Sequence, residues 1–484
     1  MAPRIAPLVA ALALLGCAAA REPLPAGPAA SGCPRALGLD EAAVTREAAC
    51  RLREYIRIDT RNPGAGETAA ADYLAAWLAA EGIASRRIES APGRVNLVAR
   101  LEGRHHDGAL MLVHHMDVVP ANAAEWSVPP LEGVERDGAV WGRGSLDDKG
   151  GGVIQVLAAV LMKRLGVRLE HDLVLLAVAD EEAGGGKGAR FLAARHRDAL
   201  SGVEYALNEG GAIVETSPGH VAYSVEVSQK APLWLRLTTH GTSGHAASPD
   251  PDSAVTRLVR ALSRLDGFEF PVVVLPSVER QFAEKAGTLP EGLREGAGHL
   301  RSSMRRASFR KAFLADPHRA SLVRNTFAVT MLEGSDKENV IPGEASAVVD
   351  LRLLPGQDPD AVTRELLRAM GDPSIEVTRL LSWPAVEGSA DNALFRAIRA
   401  FAGQRDPGAP VLANVISGFT DCNAFRAAGL TCLGFTPIRI RPDDFAGVHG
   451  KDERVDEVAL GRAVLAMEAL ADGVVGAASP AGGR

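Results

Sequence analysis

The sequence predicts an α/β protein with a mostly parallel central sheet flanked by helices, interrupted by an inserted α+β segment. Three observations predict this. Strand-like and helix-like runs alternate through the first part of the chain, the pattern changes near Ser224, and it returns to strand-and-helix runs near Ser382. Taking the elements in order, Leu74, Trp77 and Leu78 fall at helical spacing. Residues 96–101 and 109–114 are short apolar runs of strand length. Residues 153–165 are apolar nearly all round and follow three glycines, which reads as a buried helix. A strand at 172–179 and a helix at 185–195 come next. Such alternation implies a parallel sheet, and ligands gather beyond the carboxyl ends of its strands. From Ser224 the runs 224–228 and 233–239 alternate like half-buried strands, followed by a helix at 254–265. A polar, Arg-rich stretch at 287–318 has weak periodicity, and strands are expected at 326–332 and 345–353. Two strand–helix units suggest a small domain standing on the first.

Length and composition narrow the class. The 484 residues suggest two domains, and 46% hydrophobic with 23% charged residues is an ordinary globular balance. The net charge is −7, no basic block stands out, and aromatics are only 5%, which argues against a nucleic-acid partner. After Arg4, the apolar run 5–16 is too short to span a bilayer and reads as a signal-peptide core. It ends in Leu14-Leu15-Gly16-Cys17, which resembles a bacterial lipobox, with Cys17 as the lipid-attachment residue. The alternative is an ordinary signal peptide cut after residues 18–20. Residues 18–35 are rich in Ala, Pro and Gly and read as a tether. The expected location is therefore the bacterial cell envelope, lipid-anchored on the periplasmic side, with membrane contact only through the lipid. Of the other cysteines, Cys33, Cys50, Cys422 and Cys432 either pair in an oxidising compartment, with open connectivity, or remain free thiols. Their spacing matches no zinc ribbon.

Five polar clusters sit at the ends of these elements. His115 and Asp117 follow a strand in His114-His115-Met116-Asp117, where i and i+2 face one side, so the Asp could accept the ring N–H of a ligand His. Taken alone, a surface pair explains them as well. Asp147 and Asp148 sit among glycines before the buried helix, either as a bridging carboxylate or as a helix cap. Asp180-Glu181-Glu182 ends another strand, where adjacent carboxylates are costly to bury unless cations share the charge; a solvated loop is the alternative. Asn208-Glu209 and the late Val448-His449-Gly450 complete the set. One His from each half, a shared Asp and two separate Glu residues make two symmetric His/carboxylate sites. Nitrogen and oxygen donors without thiolate favour two zinc ions, with cobalt or manganese as alternatives.

The order and spacing of these motifs resemble the co-catalytic zinc hydrolases that include aminoacylase-1, carboxypeptidase S, acetylornithine deacetylase and succinyl-diaminopimelate desuccinylase. The match spans roughly residues 40–470. It includes His-x-Asp-Val-Val-Pro, Gly-Arg-Gly-x-x-Asp-x-Lys-Gly, Asp-Glu-Glu, Gly-His-Ala-x-x-Pro and the late His-Gly. Leu146-Asp147-Asp148-Lys149 looks most like the carboxypeptidase S branch, which also holds hydrolases of N-fatty-acyl amino acids. The resemblance implies His115, Asp147 and Glu209 on one zinc and Asp147, Glu182 and His449 on the other. It implies Asp117 orienting His115, Glu181 as general base, and a cis peptide between Asp147 and Asp148. It makes the insert a lid that also dimerises. Within it, His245 would stabilise the oxyanion, in some members across the dimer interface, and Asn339 and Arg352 would hold a substrate carboxylate. Gly418, Thr420 and Asp421 would line the same pocket. Asn208 departs from the Asp of many relatives, and the Arg-rich stretch is not part of the minimal lid.

The resulting division is a leader at 1–17, a tether at 18–35, a catalytic domain at 36–223 and 382–475, an inserted lid at 224–381 and a tail at 476–484. The expected activity is hydrolysis of an amide next to a free carboxylate, of carboxypeptidase or dipeptidase type. The alternative is an N-acyl-amino acid hydrolase, and the remote rival a non-catalytic metal-holding binding protein. The expected partners are a small peptide or N-acyl amino acid and a second copy through the lid.

Overall fold

The computed structural model describes residues 32–477, apart from 65 and 218. Cys17 with the expected leader, and most of the tether and tail, lie outside the described residues.

A ten-stranded sheet organises the larger part. Strand His105–His115 lies inside it, parallel to His171–Val178 on one side and to Val203–Asn208 on the other. Thr431–Gly434 continues the parallel series. Arg94–Leu101 and Ser85–Ala91 add antiparallel strands at one edge. Toward the other edge lie His220–Gln229, Ala212–Ser217 and Arg439–Ile440, and Val411–Ile416 pairs parallel with His220–Gln229. The central strands read as continuous apolar runs because both faces are covered. Helices Glu41–Ile56, Lys149–Leu165 and Glu457–Val475 bury their apolar faces in one core. Ala189–Arg195 and Cys422–Ala427 help form the other.

The glycines that open the buried helix are required by close approach. A Cβ on Gly151 would sit 2.0 Å from Asp148 Oδ1, and one on Gly152 would sit 2.4 Å from the His114 ring. The helix therefore starts directly against the strand end that presents His115.

A second, four-stranded antiparallel sheet has the order Thr326–Glu333, Glu344–Leu353, Ala231–His240, Glu376–Ser382. Helices Ala254–Ser263 and Pro359–Met370 contribute to the apolar core beneath it. The chain order is strand–helix–strand–strand–helix–strand.

Two sequence expectations change. The boundary placed at 224 falls inside His220–Gln229, a strand of the large sheet that is buried along most of its length. Its alternation of residue types reflects pairing inside that sheet, and the chain crosses to the small sheet only after Lys230. The Arg-rich stretch also has more order than its periodicity suggested. Helices Pro276–Glu284, Glu291–Ala297 and Ala307–Leu314, with shorter turns, enclose their own core around Phe282, Leu293, Phe309 and Phe313. Helices this short show little period. Their arginines satisfy free carbonyls instead: Arg310 Nη1 donates to Met304 O at 3.4 Å and Arg319 Nε to Phe313 O at 3.1 Å. The segment also covers strand Val411–Ile416, with Val415 N donating to Gln281 Oε1 at 3.0 Å and Ala413 N to Glu284 Oε2 at 3.2 Å.

The four remaining cysteines form two local disulfides, Cys33–Cys50 and Cys422–Cys432.

Candidate metal centre

The parallel strands end together. His115 closes one strand, Asp180-Glu181-Glu182 follows the next, and Asn208 closes the third with Glu209 directly after it. Two loops close over this edge. Gly142–Asp148 brings Asp147, joined to Asp148 by a cis peptide, and the late loop brings His449.

Asp147 stands between the two histidines. Its Oδ1 lies 2.9 Å from His115 Nε2 and its Oδ2 lies 3.0 Å from His449 Nε2. Glu209 Oε1 is 3.7 Å from His115 Nε2, and Glu182 Oε1 is 3.3 Å from His449 Nε2. His115, Asp147 and Glu209 thus form one group whose donor atoms lie within 4.8 Å of one another, and Asp147, Glu182 and His449 form a second. The five ligand positions picked from sequence are all brought together.

The electrostatics of this cluster call for cations. Burial opposes charge on His115, yet the nearby Asp117 and Asp147 carboxylates outweigh burial and raise its pKa well above the usual value. Hydrogen bonds to Asp147 and Glu182 lift His449 to about 10. Burial, reinforced by the Glu209 charge, raises Glu181 well above an ordinary Glu, and burial next to Asp147 does the same for Glu209. Glu181 Oε1 is buried and has no hydrogen-bond partner among the described residues. A set of buried carboxylates and imidazoles that otherwise needs extra protons fits metal ions with nitrogen and oxygen donors.

The supports differ in part from the sequence expectation. His115 Nδ1 lies 2.9 Å from the main-chain oxygen of Asp117, while the Asp117 carboxylate is 3.6 Å away. That carboxylate instead accepts the backbone N–H groups of Glu181 and Glu182, each at 3.1 Å, and Asn62 Nδ2 at 2.8 Å. Asp117 lies past the end of the strand, where the i, i+2 rule no longer fixes the direction of its side chain. Asp117 therefore fixes His115 through its backbone and the Glu181–Glu182 turn through its side chain.

Glu453, three residues beyond the late His449-Gly450 motif, is a further site residue that the sequence does not single out. Buried Glu453 accepts Arg143 Nη1 at 2.6 Å and three backbone N–H groups, from Gly144 at 3.0 Å, Leu146 at 2.8 Å and Asp147 at 3.0 Å. Arg143 Nη2 also donates to Gly450 O at 2.6 Å. The loops of Asp147 and His449 are thereby one unit.

The lid residues are placed unevenly. Arg352 is paired with Asp350 through Nε at 2.8 Å and Nη2 at 2.9 Å, and its guanidinium lies 4.8 Å from the Phe419 ring centre. It thus reaches the Gly418–Thr420 turn. Thr420 is buried, with its hydroxyl on Gln229 Oε1 at 2.9 Å. Next to it, Asp421 is buried with both carboxylate oxygens unpartnered among the described residues, and burial lifts its pKa to about 7. His245 and Asn339 are exposed at a short two-stranded antiparallel ribbon of distant chain segments, where His245 pairs with Val340. Among the described residues neither makes a hydrogen bond or ion pair to the metal-site cluster.

Residues 111–473 match the sequence profile of peptidase family M20/M25/M40. The chain is 28% identical over 356 residues to the N-fatty-acyl-amino acid synthase/hydrolase PM20D1 of Homo sapiens, covering 71% of this chain and 70% of that protein. It is 27% identical over 419 residues to aminoacylase-1 of Sus scrofa, covering 85% and 91%. Among solved structures, the fold resembles the M20 family metallo-carboxypeptidase Sso-CP2 from Sulfolobus solfataricus, with TM-score 0.68, 18% identity and coverage of 88% and 99%.

Proposed function

The chain belongs to peptidase family M20/M25/M40, and from that premise we propose that it cleaves an amide next to a free carboxylate, with two zinc ions held around Asp147. The observation that carries this reading is the Asp147 carboxylate, one oxygen toward His115 and the other toward His449. His115 and Glu209 would complete one site and Glu182 and His449 the other, with cobalt or manganese as alternatives to zinc. When bound, the metals supply an acidified water and positive charge for the developing oxyanion.

The chain supplies the rest. Glu181, held by Asp117 and with Oε1 free, takes the proton at attack and returns it to the leaving amine. Arg352 engages the substrate carboxylate with Nη1, because Asp350 occupies its other nitrogens. Gly418 leaves open space beside it. His245 and Asn339 join by movement of the small sheet or from a second copy. Supporting a homodimer there, the edge strand Thr326–Glu333 exposes Met331 and Leu332.

A carboxypeptidase or dipeptidase is one form of this activity. A second reading, an N-acyl-amino acid hydrolase, is favoured by the names of both curated relatives. Zinc-dependent hydrolysis of a mixed panel of dipeptides and N-acyl amino acids tests the proposal. Preference within the panel chooses the form, and no cleavage of any member counts against both. We also propose export with a lipid on Cys17; the two disulfides support an oxidising compartment.

A further inference from the structure

The chain crosses between the sheets twice, after Lys230 and at Trp383. The two crossings are tied together, with Trp383 N donating to Pro232 O at 3.1 Å and Leu233 paired with Ser382. Trp383 is 1% exposed, and its indole N–H donates to Gly184 O at 3.1 Å. Gly184 ends the turn that presents Glu181 and Glu182, and its own N–H returns to Glu181 O at 2.8 Å. Contact here is close. A Cβ on Gly184, which has φ +97°, would sit 2.9 Å from the Leu381 side chain, and one on Gly185 would sit 3.8 Å from the indole.

The indole is also one member of a packed cluster of rings and guanidinium groups. The Phe419 ring meets it edge-on at 4.8 Å and 68°, Arg352 lies over the Phe419 ring at 4.8 Å, and Arg190 lies 5.6 Å from the indole. Arg352 belongs to the small sheet, while Phe419 and Arg190 belong to the large domain. Trp383 therefore touches the inter-sheet crossing, the turn that holds Glu181, and the ring on which Arg352 rests.

We infer that Trp383 is a positioning residue that transmits the orientation of the small sheet, and with it occupancy of Arg352, to Glu181 and Glu182. A packed cluster with a directional hydrogen bond at one end moves as a unit rather than deforming. Carboxylate capture at Arg352 then acts on the rate of the chemical step as well as on binding. The Arg352 part of this rests on the carboxylate-binding reading above.

The test uses the full chain with zinc. Trp383→Phe keeps an aromatic ring in the cluster and deletes the N–H. The expected result is a loss of roughly tenfold in kcat, the scale of one lost hydrogen bond, with KM changed less than about threefold and metal content intact. Amide hydrogen exchange of residues 181–186 should rise in the same variant, while the small sheet keeps its protection. That readout needs no substrate, so a failure of the functional proposal leaves it intact. Phe419→Leu, which breaks the cluster and leaves the Gly184 hydrogen bond, should weaken the kcat penalty of Arg352→Ala. Unchanged kcat and unchanged exchange at 181–186 in Trp383→Phe overturn the inference. So does a loss of protection across both sheets, which assigns Trp383 to the general core.

Discussion

Glu453 Oε2 accepts Arg143 Nη1 at 2.6 Å, with both side chains buried. The pair joins segments 310 residues apart in sequence, and the same carboxylate holds the backbone N–H of Asp147. Replacing Glu453 by Ala leaves a buried guanidinium without its charge partner, at a cost of roughly 3–5 kcal/mol. We predict that loss of stability together with metal affinity weakened roughly 10–100-fold. Urea denaturation and zinc titration measure the two effects. A variant with wild-type values for both removes Glu453 from the account.

Glu181 has a free buried oxygen and no ligand role in either group that shares Asp147. Glu181→Gln preserves shape and removes the base. Turnover should fall by at least about 10²–10⁴-fold with metal content unchanged. Retained activity would remove Glu181 as the base, and lost metal would make it a ligand.

The metal-free centre binds protons that metal must displace. His449 sits at about 10 without metal and must be neutral to act as a ligand. The sign follows: a group protonated in the free protein and neutral in the bound one makes affinity rise with pH until its pKa is passed. Zinc affinity should therefore fall as pH drops from 9 to about 6, and zinc addition at pH 7 should release protons. Titration in a weakly buffered solution reads this directly. Metal uptake with no proton release contradicts the assignment of His449.

The Arg-rich segment is predicted to stabilise without taking part in the reaction. Phe313 is fully buried beside Phe282 and Phe309. Phe313→Ala should lower stability by roughly 3–5 kcal/mol, while zinc stoichiometry in the folded fraction stays the same. Loss of metal from folded variant would tie the segment to the site.

The candidate metal centre was legible in the sequence because most of its residues follow strand ends, where parallel topology forces convergence. His115, Glu182 and Glu209 each sit just beyond an apolar run of strand length. Asp147 and His449 lie in loops and depended on motif resemblance. Glu453 was not legible, since a carboxylate that binds four donors looks like any loop Glu until the partners are folded around it. Trp383 was hidden for a similar reason: its partners Gly184 and Phe419 are far apart in sequence. The strand His220–Gln229 was assigned to the wrong sheet because alternation reports a strand, not its neighbours.

The most direct test of the central claim is metal content per chain for the wild type and for Asp147→Ala, both purified without residues 1–17 and equilibrated with zinc. The account predicts two zinc ions per wild-type chain, and weak binding at both sites once the shared carboxylate is gone. One or no zinc in the wild type, or two retained tightly by Asp147→Ala, would contradict it.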